Sequence, residues 1–269
     1  MALARSNPSL TSNVRQLGNL EYVMKKYIAS KFLIILIGCA SMRNYPHDNK
    51  LQRNVAENSV TADKQSWRVC RLVYKEEGGF RPLGSAFCVV YQNQSWLVSS
   101  SHVINKYLKQ VKNIYYCPNG QKEVFPLKLA RNDTFCDLAM FTIDTDLVEN
   151  DEIAESPNEG DELFTIGFPD HIGQSQYARI AKGNVIKLIY GGIKDNQFYQ
   201  TNDSRAYPAF IASGLDPGIG ASGSPVFSKE GIIVGYTKGF DDNKNAICFS
   251  GKNIIETLKQ LAPISSQSK

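Results

Sequence analysis

Two β-barrels in tandem are what this sequence predicts, and three features of its 269 residues lead there. Short runs rich in Val, Ile, Phe, Tyr and Thr recur along the chain, each bounded by Gly, Pro, Asn or Asp. They do not alternate with segments of helical period, as the strands of a parallel sheet do, so the class is all-β. Residues 147–162 carry seven Asp or Glu and the turn Pro157-Asn158-Glu159-Gly160, a polar break between two strand-rich halves. With 42% apolar and 21% charged residues, the chain has the balance of a globular protein that buries a substantial core.

In the first half, residues 69–74, 85–91 and 95–99 read as strands, with Gln92-Asn93-Gln94 as the hairpin between the last two. Residues 102–108 have the spacing of a single helical turn, and 113–116, 123–129 and 138–143 complete a barrel over about 65–146. In the second half, strands fall at 163–166, 180–188, 198–201, 209–211, 226–227, 232–237 and 246–249, a barrel over about 163–250. Residues 252–261 place Ile254, Ile255, Leu258 and Leu261 at helical spacing, which predicts a C-terminal helix packed on the body. The folded unit is expected over 65–265.

The N-terminal region reads differently. Met24-Lys25-Lys26 precedes the apolar run Phe32-Leu33-Ile34-Ile35-Leu36-Ile37, which ends in Gly38-Cys39-Ala40-Ser41. A basic start, an apolar stretch too short to span a bilayer and small residues after it make a secretory signal. Leu36-Ile37-Gly38-Cys39 resembles the bacterial lipobox, which implies lipidation of Cys39 and a membrane anchor; a plain signal peptide or an uncleaved anchor is the alternative. On this reading translation starts at Met24, residues 1–23 are an upstream extension, and 39–64, polar and aperiodic, tether the lipid to the body. Ala40 after the cysteine, with no Asp there, implies outer-membrane delivery by analogy with other lipoproteins. The expected location is the bacterial cell envelope, facing the periplasm or the surface.

The formal charge of +4 is concentrated at that end. Residues 1–39 hold five basic residues and one acidic, which leaves 25 of 30 basic and 25 of 26 acidic for the rest. Nucleic acid is therefore not an expected partner. Past Cys39 stand Cys70, Cys88, Cys117, Cys136 and Cys248, an odd number, so at least one is unpaired within the chain. Cys88, Cys136 and Cys248 sit in apolar strand contexts and read as buried thiols. His47 and His171 are isolated and no C-x-x-C occurs, so neither metal nor organic cofactor is expected.

Three stretches carry chemistry. Asp216-Pro217-Gly218-Ile219-Gly220-Ala221-Ser222-Gly223-Ser224-Pro225-Val226-Phe227 is glycine-dense up to a serine and then apolar. Glycine allows positive φ, so such a turn can aim two N–H groups at one point beside a hydroxyl, as acyl transfer requires. Trp96-Leu97-Val98-Ser99-Ser100-Ser101-His102 is a strand that runs into a histidine, and Cys136-Asp137-Leu138-Ala139 is an aspartate that opens another. The order His, Asp, Ser differs from that of an α/β-hydrolase, whose elbow reads G-x-S-x-G.

With Gly84-Ser85-Ala86-Phe87 added, these motifs resemble the trypsin/chymotrypsin-fold serine peptidases of bacteria, the Deg/Htr-type and glutamyl endopeptidases, from Trp67 to Leu261. The resemblance implies two six-stranded antiparallel barrels and a peptide or protein substrate. It also implies Ser222 as nucleophile, His102 as general base and acid, Asp137 as the orienting carboxylate, and the N–H groups of Gly220 and Ser222 as the oxyanion hole. Asp133 is the rival to Asp137, and Ser224 and Ser213 are rivals to Ser222. Asp216 falls where trypsin has the acid of its specificity pocket, and Thr237-Lys238-Gly239 where it has the pocket wall; Asp216 as a surface turn residue is the alternative. Animal trypsins carry Asp before the nucleophile, whereas this chain has Ala221, so activation by a freshly cut N-terminus is not expected. Only Ala262 to Lys269 follow the helix, so no PDZ module is expected there. A catalytically silent binding or adhesion lipoprotein and an esterase are the alternatives in function.

Overall fold

The computed structural model describes residues 59–144, 151–168, 177–195, 197–215 and 220–261. The expected signal region, including Met24 and Cys39, lies outside the described residues. Strand β1 (Val69–Glu76) turns at Glu77-Gly78 into β2 (Gly79–Tyr91), and β2 turns back into β3 (Gln94–Ser100). The second hairpin closes through Gln92 (φ 50°) and Asn93 (φ 60°), a two-residue loop with both residues left-handed, which matches the twist of the strands it joins. β4 (Ile114–Pro118), β5 (Phe125–Pro126), β6 (Lys128–Asp133) and β7 (Leu138–Thr142) extend the sheet in the order β5-β4-β1-β2-β3-β7-β6, every pair antiparallel.

Beyond the acidic break come β8 (Glu162–Gly167), β9 (Arg179–Lys194), β10 (Gln197–Thr201), β11 (Tyr207–Ser213), β12 (Pro225–Ser228), β13 (Ile233–Phe240) and β14 (Ala246–Ser250). Their order is β10-β9-β11-β14-β13-β12-β8, and β8 also pairs with β9, so six strands close into a barrel with β10 on the outside.

The all-β class thus holds, with one correction in detail: the first sheet is an open half-barrel, and only the second closes. Chemistry explains the difference. β4 and β5 end in Pro118 and Pro126, which have no N–H to donate to a ladder, and β6 is largely exposed, so little burial rewards closure there.

Alternation along the strands fixes how the two sheets meet. Cys70, Leu97 and Phe141 point into the first sheet's own core. Their neighbours Val69, Val98 and Met140 join a shared cluster with Phe164, Phe227, Tyr236 and Phe249 of the second sheet. These strands are buried on both faces and read as continuous apolar runs, because side chains alternate with period two.

The described part of the polar connector is tied to both sheets. Asp151 pairs with Arg68 and accepts a hydrogen bond from Val90 N (2.7 Å), while Ala154 N donates to Ile233 O (2.9 Å). Helix α3 (Gly251–Leu261) lays Ile254 and Leu258, both fully buried, on the shared cluster, as its spacing predicts.

Two features depart from the sequence reading. Helix α1 (Ser59–Ser66) occupies the end of the expected tether and buries Ala62 in the shared cluster. After β3, α2 (Ser101–Ile104) continues into a 3₁₀ segment (Asn105–Asn113), longer than the single turn expected. Cys70, Cys88, Cys117, Cys136 and Cys248 are all unpaired and buried.

Candidate active site

β3 carries the chain to Ser100, and α2 then lifts His102 out of the sheet. Its backbone N–H donates to Asp137 Oδ1 (2.8 Å), and its ring Nδ1 lies 2.7 Å from Asp137 Oδ2. Asp137 is buried and takes a left-handed φ of 55°, and its carbonyl accepts from Ser101 N (2.9 Å). One residue therefore grips the histidine turn at three points. A carboxylate facing Nδ1 selects the tautomer with the proton on that atom and leaves Nε2 as an acceptor. The rival Asp133 serves the turn instead, where its Oδ1 accepts from Phe135 N (3.0 Å) and Cys136 N (3.3 Å) and caps the bend that delivers Asp137.

The serine turn is built from left-handed glycines, Gly220 (φ 95°) and Gly223 (φ 84°). A Cβ on Gly223 would lie 2.3 Å from Ser85 O, so this position requires glycine for space as well as for φ. Ser224 N donates to Ala221 O (2.9 Å) and Gly223 N to Thr237 O (2.8 Å). Thr237 O also accepts from the Ser100 hydroxyl (3.1 Å), so the serine turn and the histidine turn are anchored on one carbonyl. The Ser222 hydroxyl donates to Lys238 O (3.2 Å) and not to His102. Among the described residues, no acceptor takes the N–H of Gly220 or of Ser222. Ser224 is fully buried and Ser213 ends β11.

Thr237 is buried, whereas Lys238 and Gly239 are half-buried, with open space above Gly239. Asp216, the other residue assigned to a pocket, lies outside the described residues. Beside His102 opens a cleft of about 490 Å³ walled by Phe135, Ile193 and Tyr199, with Lys194 and Asp195 also lining it. Ile193 N donates to Phe135 O (2.8 Å), which fastens the β9–β10 hairpin to the turn before Asp137. Phe135 is 63% exposed and Tyr199 44%, high for aromatic side chains, as expected of walls facing an open cleft. The sequence reading did not reach these three residues, since they share no motif and meet only through the hairpin.

Residues 84–235 match the family model described as a trypsin-like peptidase domain, a span that runs from the Gly84-Ser85-Ala86-Phe87 motif through all three candidate residues. Comparison with curated proteins gives no match. Among solved structures the chain is similar to the active form of the Rv3671c protease from M. tuberculosis (TM-score 0.59, 14% identity, 77% of this chain and 86% of that one). It is also similar to the serine endoprotease from Yersinia pestis (0.57, 14%, 76% and 66%). A third similar structure is a variant of the HtrA-type protease AlgW with tripeptide (0.56, 15%, 77% and 64%). The last two are longer proteins, of which this chain spans slightly less than two thirds. Identities this low show a shared fold.

Proposed function

The chain belongs to the trypsin-like peptidase family, and from that premise we propose that it is a serine endopeptidase in which Ser222, His102 and Asp137 form the triad. The observation that carries the reading is the engagement of His102 by both oxygens of Asp137, beside a serine turn anchored on the same carbonyl as the histidine turn. A silent scaffold has no need of that arrangement.

The reaction follows from these positions. The Ser222 hydroxyl leaves Lys238 O by rotating about Cα–Cβ; a neutral hydrogen bond contributes about 1 kcal/mol net, a small addition to the barrier. Facing Nε2, it gives its proton to His102 as Oγ attacks the peptide carbonyl. Asp137 holds the ring and stabilises the imidazolium. The carbonyl oxygen, now anionic, is met by the N–H groups of Gly220 and Ser222, each worth roughly 3 kcal/mol in comparable sites. The tetrahedral species collapses, the amine leaves with the proton from His102, and an acyl-Ser222 ester remains. Water, deprotonated by the same ring, attacks the ester and releases the acid and the free hydroxyl.

In this reading Thr237, Lys238 and Gly239 border the substrate, and the gap over Gly239 admits an extended peptide. Ala221 cannot receive a new N-terminus as an aspartate would, so the enzyme is either constitutively competent or gated by its loops. The segment from Met24 to Cys39 supports export and lipid anchoring at Cys39, with substrates in the bacterial envelope.

A second reading, a binding lipoprotein on the same fold, draws on the Ser222 hydroxyl donating to Lys238 O. Profiling a peptide library with wild type and Ser222→Ala decides between them. The peptidase predicts cleavage by wild type alone; a folded wild type that cleaves nothing favours the binder.

A further inference from the structure

The Gly84-Ser85-Ala86-Phe87 motif has no part in the chemistry above, yet Ser85 makes more contacts with the serine turn than its place in the first sheet requires. It is fully buried in β2. Its N–H donates to Ser222 O (3.0 Å), and its hydroxyl donates to Gly220 O (3.2 Å). The same hydroxyl accepts from Phe168 N (2.9 Å), which leaves its one proton for Gly220. Ser99 Oγ in turn holds Ser85 O (2.7 Å). From these contacts we propose that Ser85 is a positioning residue for the oxyanion hole. It clamps the carbonyls of Gly220 and Ser222, which fixes the turn that aims the N–H groups of Gly220 and Ser222 at the substrate oxygen.

This role for Ser85 rests on the peptidase reading of the site. Peptide groups are rigid planes, so pinning a carbonyl fixes the whole plane. Ser85 Oγ pins the plane joining Gly220 to Ala221, Ser224 N pins the next, and Ser85 N with Thr237 O pins the third at both ends. Only the first is held by a side chain alone, and it adjoins Gly220, whose φ of 95° glycine can easily leave. That plane joins the two that carry the donors, the Gly220 N–H before it and the Ser222 N–H after it, so without the Ser85 hydroxyl it is free to turn over and the two donors lose their fixed mutual direction. The surroundings leave the hydroxyl little choice of direction. Phe168 N as donor and Gly220 O as acceptor set its orientation.

The test compares wild type, Ser85→Ala and Ser85→Cys in peptide turnover and in inhibition by a peptide aldehyde, whose hemiacetal with Ser222 places an oxyanion in the hole. We expect Ser85→Ala to lower kcat roughly 10- to 100-fold, less than or equal to the loss of a direct donor. Aldehyde affinity should weaken by the same factor, with KM within about twofold and the acid limb of the pH profile in place, since the His102–Asp137 pair is untouched. Ser85→Cys, which keeps the shape and a weak donor, should fall between the two and stands in if Ser85→Ala does not fold. Turnover and aldehyde affinity of the folded variant within twofold of wild type would overturn the proposal, as would a loss confined to KM. A wild type without turnover removes the peptidase reading and this proposal together, whereas an active wild type with an unaffected Ser85 variant removes this proposal alone.

Discussion

Asp137 shows what a single residue must supply here. It accepts the left-handed backbone that aspartate tolerates better than most residues, and that conformation turns its carboxylate under the imidazole while its carbonyl faces Ser101 N. Asp137→Asn keeps the shape but favours the wrong tautomer, so kcat should fall about 10³- to 10⁴-fold with the fold intact, read by turnover beside circular dichroism. The buried thiols make a second prediction. Burial pushes Cys88 and Cys248 each up to about 12, against an ordinary value of 9.0. The native state therefore keeps protons that the unfolded chain gives up above about pH 9, and stability present below that pH is lost as pH rises toward 12. Melting temperature should decline over this window, and Cys248→Ala should make the decline shallower; an unchanged slope would count against a protonated Cys248 in the native state.

At the scale of elements, the β9–β10 hairpin is the proposed recognition element, and α3 contributes stability. The hairpin brings Ile193 and Tyr199 to face Phe135 beside His102. Phe135→Ala and Tyr199→Ala should raise KM several-fold for peptides with bulky apolar side chains and leave kcat nearly unchanged; equal losses on small-side-chain peptides would contradict that role. In α3, Leu258→Ala removes a fully buried side chain from the shared cluster and should cost about 2–5 kcal/mol, read from chemical denaturation. Most of this was legible in the sequence. Apolar runs mark strands whose two faces are both buried, and Ile254 and Leu258 announce the helix. What escaped had no periodic signature. α1 is a polar segment that buries only Ala62 deeply among its described side chains, and β2 begins at Gly79, where Arg81-Pro82 masks strand character. The cleft walls met through tertiary contact alone. Likewise, Ser85 could be read as part of a motif, but its grip on Gly220 and Ser222 required the fold.

Across the whole molecule, one shared apolar cluster joins an open sheet to a closed barrel, and the proposed reacting groups come from both. His102 and Asp137 belong to turns of the first sheet, and Ser222 to the turn before β12 of the second barrel. The site exists only while that junction is packed, so activity should vanish in the same denaturant range as the melting of the whole folded unit. The proposed anchor lies outside this unit, so Cys39→Ala should release the protein from membranes and leave its turnover unchanged. The central claim is that Ser222 is activated by His102, and its most direct measurement is covalent labelling by a fluorophosphonate, followed by mass analysis of the modified peptide. Stoichiometric labelling on Ser222 is expected in the wild type, with a loss of at least a hundredfold in labelling rate for His102→Ala. A folded wild type that does not label, or that labels equally fast without His102, would contradict it.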